Sequence, residues 1–358
     1  MKLKTPTLKN LAVQAVAGMN SNNNSGSKHM AYFGYGKIAA IAGTLALSMS
    51  WGVSAALGQT VLTVTHSSPA DSHFGEAAIA FKQSLEAQTE GAINVVIQRL
   101  DNEREALESV QFGTQECAIV SAGPLGNFVP ETRVLDVPFL FDGYEHARGV
   151  LDGETGQELL ALFPRYGLEG VAWMENGFRN LTTGSKSIAS PDDLVGMKIR
   201  TMENPIHIAA WQAAGVLPTP MAFSELPPAL QQGTVDGQEN PIPVILANNL
   251  DMMQQHLYLT RHVYSPGIFA CNPDFVAGLD EQQQAALKTS GAFAAAANRK
   301  RVEKDELVGI ETLRDRGIDI VEIDDIQAYR DAMASAYADF EAEFGAERLQ
   351  AIRDWSAE

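Results

Sequence analysis

The alternation of short apolar runs with amphipathic stretches after position 60 constrains this chain more than any other feature. Val61-Leu-Thr-Val-Thr-His66 has strand composition, Gly75 to Thr89 carries Ala78, Phe81 and Leu85 at helical spacing, and Ile93-Asn-Val-Val-Ile97 is a second strand. Arg104 to Phe112 then reads as a helix and Cys117-Ala-Ile-Val120 as a third strand. A β-α-β-α-β order with short connections implies an α/β fold with a largely parallel sheet. Ligands of such sheets sit at the carboxyl ends of strands, here marked by His66, Asn102 and Ser121.

A second cycle starts near Val171-Ala-Trp-Met174. It continues through Lys198-Ile-Arg-Thr201, a helix after Pro205 and a helix from Ser224 to Gln232 that Ser224 would cap, and reaches Val235-Asp-Gly237. The chain then returns through a strand-like Ser265 to Asn272 and one long helical pattern from Asp280 to Arg316, interrupted weakly by Gly291 and Gly309. At about 1.5 Å per residue such a helix exceeds the span of one small domain, so it would brace two. No repeat or long linker separates the cycles. The expected division is therefore interleaved: residues 59–177 plus 266–303 in one lobe, 178–265 plus 304–358 in the other.

The amino-terminal residues 1–58 differ chemically from the rest. They contain five lysines and no acidic residue, then the uncharged run Ile38 to Val53 and a small-residue exit near Ala55 or Gly58. A basic start, a short apolar stretch and small residues describe a cleaved export signal; the run is too short and too rich in Ala, Gly and Ser for a membrane span. The polar residues 1–29 read as an upstream extension, and Met30 would open a signal of normal length. Of the 26 basic residues five precede position 59, so the remainder, with 44 acidic residues, carries a net charge of −23. That surface repels nucleic acid and anionic lipid and suits a soluble, monomeric periplasmic protein. An anion would have to be held by local positive charge.

Cys117 and Cys271 lie among apolar neighbours without metal-type spacing. Two buried thiols in strands are expected, with a disulfide the alternative that export permits.

Arg200 ends the apolar-alternating Leu194-Val-Gly-Met-Lys-Ile-Arg200 and shortly precedes the helix at Pro205. A guanidinium at a strand end beside a helix amino terminus favours an anion, although an interdomain salt bridge would use the same residue type. Arg179, after the strand around Val171 to Met174, could converge on the same cleft or serve the crossover. Asn240 precedes Pro241, which discourages helix there and leaves an amide to face a ligand, whereas Asp236 and Glu239 read as loop-fixing or interdomain groups. Phe223 could wall a pocket or pack in the core. The sequence has no phosphate loop, no Gly-x-Ser-x-Gly elbow and no His-Glu-x-x-His, and its seven histidines are scattered. Catalytic machinery is not visible, and neither a cofactor nor a metal is expected.

Three ordered segments, Gly196-Met-Lys-Ile-Arg-Thr-Met-Glu-Asn-Pro-Ile-His207, Pro218-Thr-Pro-Met-Ala-Phe-Ser-Glu225 and Ala229-Leu-Gln-Gln-Gly-Thr-Val-Asp-Gly-Gln-Glu-Asn-Pro241, resemble the DctP-type solute receptors of TRAP transporters. The likeness extends from Leu62 through Val134-Leu-Asp-Val-Pro-Phe-Leu-Phe141 to about Phe344. It implies a two-lobed periplasmic-binding-protein-like fold with hinge strands and a long carboxyl-terminal bridging helix. It also implies closure over one ligand and delivery to membrane permease subunits. By motif, Arg200 resembles the arginine that pairs with the ligand carboxylate, Arg179 the second cleft arginine, Asn240 the neighbouring amide and Phe223 the aromatic wall. Glu203, Asn204, Glu103, His73 and Ser121 fall where ligand-tuning side chains would sit.

Leu100-Asp-Asn-Glu-Arg104 replaces a Leu-Gly-containing turn common among relatives, so the substrate does not transfer simply. Ser121 stands where sialic-acid receptors carry an acidic residue, which argues against that ligand. A uronic or related sugar acid, a four-carbon dicarboxylate and a keto acid remain open. The competing functions are an exported enzyme with Glu103 or a histidine as general base and a receptor that signals to a membrane sensor.

Overall fold

The computed structural model describes residues 59–357. The expected export signal, its expected cleavage site and Met30 lie outside them.

The first cycle is built as its pattern requires. β1 (Thr60–His66) pairs in parallel with β2 (Ile93–Arg99) and with β3 (Cys117–Ser121). The helices His73–Gln88 and Glu103–Gln111 make the crossovers. Ser72 and Asn102 cap them, Ser72 accepting from Gly75 N and Asn102 from Arg104 N and Glu105 N; such caps contribute about 1 kcal/mol each.

The second cycle contributes β5 (Lys198–Thr201), parallel to β6 (Leu217–Pro220) and to β7 (Gly237–Pro241). β7 lies later than the expected Val235 to Gly237 and ends on Asn240 and Pro241. Ser224 does not cap a helix. It sits inside a 3-10 turn, Phe223–Glu225, and the α-helix proper runs Leu226–Gln231, with prolines in its first turn.

Between these parallel groups run two long antiparallel strands, β4 (Glu169–Thr183) and β8 (His256–Cys271), giving the order β2-β1-β3-β8-β4-β7-β5-β6, with the short β9 (Asp319–Val321) beside β8. The sheet is therefore mixed, not largely parallel. The strands expected at Val171–Met174 and Ser265–Asn272 are only the first-lobe ends of β4 and β8. β3 pairs β8 at Cys117↔Cys271 through Ser121↔Gly267, whereas β7 pairs β4 at Arg179↔Pro241 through Thr183↔Gly237. The shared β4–β8 ladder slips at Gly170/Ala172, Glu175/Gly177 and Arg179/Leu181. Bulges bend strands, and these lie in the two strands that cross from one parallel group to the other, which is the hinge geometry of a two-lobed fold.

The long helix forms as expected, Glu281–Asp315, with Asp280 and Gln283 in a capping box. Its 35 residues span about 52 Å. A Cβ on Gly291 would approach Val171 Cγ1 to 2.4 Å, and one on Gly309 would approach Ile242 Cγ2 to 2.3 Å. The two glycines that weaken the helical pattern thus let one helix lie against β4 in the first lobe and against the segment after β7 in the second.

Cys117 and Cys271 are joined in a disulfide, which overturns the expectation of two free thiols. Register explains it: they are direct cross-strand partners at the end of the β3–β8 ladder. The bridge lies in a core with Leu62, Phe81 and Phe269. Among the described residues no helix is long and apolar enough to cross a membrane.

Candidate functional site

Arg200 is the third residue of β5, and its guanidinium is folded into the protein with 2% of the residue exposed. Nε and Nη2 donate to Met221 O at 3.2 and 2.8 Å, and the Phe223 ring lies 5.8 Å from Cζ. Nη1 is buried and has no hydrogen-bond partner among the described residues, and none of them forms an ion pair with Arg200. Burial, and then the neighbouring charge of Arg179, lower its pKa to about 10; it remains a cation at neutral pH. An uncompensated buried charge is costly, and none of the described acids forms an ion pair with this one.

Arg179 is different. Fully buried on β4, it grips Glu239 of β7 with two prongs, Nε to Oε2 at 2.5 Å and Nη2 to Oε1 at 2.8 Å, and Nη2 also donates to Glu239 O. His262 Nε2 lies 3.0 Å from the same Oε2. Burial would raise the Glu239 pKa, but the charge of Arg179 and the hydrogen bonds from His262 and Arg179 hold it well below the carboxylate range. Arg179 thus has a complete internal partner, with only Nη1 left, 3.8 Å from Met202 Sδ. It does not line the cavity beside Arg200. Its effect there is indirect, through its charge and through Met202. Glu239, expected to fix the loop or an interdomain contact, instead ties β7 to its neighbour β4 through Arg179.

The wall shared with Arg200 comes from the strand ends of the first lobe. Glu103, the first residue of its helix, is 8% exposed and turns inward. Its Oε1 accepts from Ser121 N at 2.8 Å, Ser121 Oγ at 2.8 Å and Ser67 Oγ at 3.0 Å. Asn176 Nδ2 donates to Ser121 Oγ at 2.8 Å, while its Oδ1 lies 2.7 Å from His73 Nε2. His73, fully buried, has a pKa lowered to about 4 by burial, so it is the neutral end of a chain of polar groups and touches the cavity only through Asn176.

Ser67, Ser68, Phe74, Glu103, Ser121, Asn176, Arg200, Met202, Phe223, Asn240, Val244 and Asn248 enclose a cavity of ≈ 20 Å³. That is room for about one water, so admission of an organic acid requires the walls to separate. On the other side of Arg200 and Phe223 a second narrow hollow is lined by Asn102, Glu103, Arg104, Met221 and Glu203. A larger hollow of ≈ 630 Å³ lies between Trp173, Leu160 and the long helix; it contains none of the expected residues, and its arginine, Arg299, is paired with Asp152 at 2.6 Å.

The structure therefore brings Arg200, Asn240, Phe223, Glu103 and Ser121 to one cavity, puts Glu203 at its outer edge, and sets His73 and Arg179 behind it. Asn204 does not reach it. Its Oδ1 caps the helix Pro205–Ala213, accepting from Ile206 N at 2.8 Å, and its Nδ2 donates to Asp136 Oδ2 at 2.8 Å. Both ends of the amide are consumed. Asn240 Nδ2 donates to Gln238 Oε1 at 2.5 Å. Asn176, Ser67, Ser68, Phe74, Met202, Val244 and Asn248 were not anticipated; the strand-end rule marked His66, and the two serines follow it directly.

The family model for bacterial extracellular solute-binding protein, family 7 (DctP) matches residues 64–343. The chain belongs to the DctP family. Among DctP relatives, a solute-binding protein of Verminephrobacter eiseniae is 45% identical over 83% of this chain and 90% of its own length. The 2,3-diketo-L-gulonate-binding periplasmic protein YiaO of Escherichia coli is 33% identical over 77% and 86%. A TRAP periplasmic solute-binding protein from a Polaromonas species, bound to D-erythronate, superposes with a TM-score of 0.82 at 48% identity, covering 84% of this chain and 100% of that one. DctP proteins are substrate-binding receptors of TRAP transporters, and the two-lobed fold described above is theirs.

Proposed function

We propose that this chain is exported to the periplasm, captures a small organic acid with Arg200 as the carboxylate anchor, and hands it to TRAP membrane permease subunits. The observation that carries the reading is the buried Arg200, whose Nη1 has no hydrogen-bond partner among the described residues. Glu103 and Ser121 face it from the first lobe, with Phe223 and Asn240 completing the enclosure. The proposed lobes are 59–177 plus 266–303 and 178–265 plus 304–358, turning about β4 and β8 so that closure buries the acid between preformed walls. The relatives support the chemistry, since D-erythronate and 2,3-diketo-L-gulonate are both organic acids. Uronates and other sugar acids, keto acids and dicarboxylates are the ligand classes in view. A monomer suffices, because every proposed ligand contact comes from one chain.

The test is a thermal-shift screen of the purified protein over aldonates, uronates, keto acids and dicarboxylates. A ligand present at 100 times its Kd adds about 2.7 kcal/mol, so at least one acid should raise the melting temperature by several degrees. No stabilisation by any acid at millimolar concentration would refute the reading.

A further inference from the structure

We infer that the site selects a hydroxylated monocarboxylate and discriminates against a second carboxylate, with Glu103 as the residue that makes the choice. This rests on the carboxylate anchor proposed above and narrows it.

Among the residues that line the inner cavity, Arg200 and Glu103 are the only charged ones. One cation matches one ligand carboxylate. Arg179 cannot supply a second, because Glu239 occupies it. At the outer hollow Arg104 is exposed and paired with Glu108 at 3.0 Å, and two further carboxylates, Glu103 and Glu203, line the same space. A diacid anchored on Arg200 would therefore carry its second negative charge towards acids. Juxtaposed like charges in a desolvated site cost several kcal/mol.

The hydrogen-bonding capacity of the wall points the same way. Three donors from Ser67 and Ser121 converge on Glu103 Oε1 and hold the carboxylate rigidly, leaving Oε2 without a donor among the described residues. A carboxylate accepts and does not donate, so the complement of Oε2 is a ligand hydroxyl.

Asn240 adds a second acceptor. Gln254 Nε2 donates to Met253 O, Thr182 Oγ1 to Gln254 Oε1, Gln238 Nε2 to Thr182 Oγ1, and Asn240 Nδ2 to Gln238 Oε1. The relay fixes the amide with Oδ1 away from Gln238 and open to a donor. A keto or carboxylate oxygen supplies no proton to either acceptor; a hydroxyl supplies one. Sites that bury an unmatched acceptor reject analogues lacking the donor strongly.

The experiment is isothermal titration calorimetry with three four-carbon acids of similar length: a trihydroxy aldonate, succinate and butyrate. The aldonate should bind at least about 100-fold more tightly than succinate and more tightly than butyrate. In Glu103→Gln, with its fold checked by an unchanged unliganded melt, aldonate affinity should fall by about 10-fold or more while succinate gains, so the ratio collapses. Succinate binding the wild-type protein as tightly as the aldonate would overturn this inference while leaving the carboxylate anchor intact. An unchanged ratio in Glu103→Gln would overturn it too. Binding of none of the three, nor of any acid in the wider screen, would remove the anchor itself. The wild-type comparison decides the matter even if the variant does not fold.

Discussion

Replacing Glu239 with Gln isolates the ion pair that holds the second lobe's strands in place behind the site. In the wild-type protein Arg179 and Glu239 are both completely buried and joined by two prongs, with His262 on the shared oxygen. Gln keeps the shape and one acceptor oxygen but removes the charge, leaving the buried Arg179 guanidinium with no anionic partner, only the amide oxygen and backbone carbonyl of residue 239 and a thioether. Removing one partner of a buried pair costs about 3–5 kcal/mol. For a chain of this size, where 1 kcal/mol shifts the midpoint by about 2 °C, the melt should fall by about 6–10 °C at pH 7. The pH dependence carries a second signature. Glu239 is held below its unfolded value of 4.5, so its stabilisation is fully present above that pH and is lost as pH falls below it. The gap between wild type and variant should therefore narrow in acid. In the double variant Arg179→Met/Glu239→Leu, with neither charge left buried, part of the loss should return. Calorimetric melts of the three proteins between pH 7 and pH 4 are the assay. A shift under about 2 °C at pH 7, or a double variant that melts below Glu239→Gln, would refute the reasoning.

Two further outcomes follow from buried groups. Burial lowers the His73 pKa from 6.5 to about 4, so the unfolded chain takes up this proton first as pH falls, and stability should drop by about 3 kcal/mol between those values. In denaturant titrations His73→Gln should flatten that part of the pH profile, and an unchanged slope would contradict the assignment. The Cys117–Cys271 bridge closes a loop with a sequence separation of 154, and in the chain-entropy description its removal costs up to about 5 kcal/mol. Reducing agent should lower the wild-type melt markedly and leave the Cys117→Ala/Cys271→Ala variant unaffected; equal melts with and without reductant in the wild-type protein would contradict this.

What could be read from the sequence divides along physical lines. Local periodicity revealed β1 to β3, the crossover helices and the 35-residue helix almost to the residue, because that signal is carried by residues a few positions apart. β4 and β8 were legible only at their first-lobe ends. The remaining parts, the second half of β4 and the first half of β8, carry buried polar residues such as Arg179, Asn180, Thr182, Thr183, Thr260 and His262, whose partners lie across the sheet, and no apolar alternation marks such a strand. The same long-range dependence hid the disulfide, which requires β3 to lie beside β8. It also hid the role of Arg179, satisfied by a residue 60 positions away. Asn204 was legible as a cap by local chemistry, since it stands directly before a proline-started helix; the ligand-tuning role implied by the resemblance does not fit an amide used at both ends. Arg200 stood at the right strand end from the start, but only the structure shows that it is buried with a free prong.

The central claim is that Arg200 is an anchor and not a structural ion. Calorimetric titration of Arg200→Met with the tightest acid found in the screen, beside the melt of the unliganded variant, tests it directly. Loss of the buried charge partner should weaken binding by roughly 1000-fold, while the unliganded melt should stay the same or rise, because no described acid depends on Arg200. Unaltered affinity, or a melt lowered as far as that of Glu239→Gln, would contradict the account.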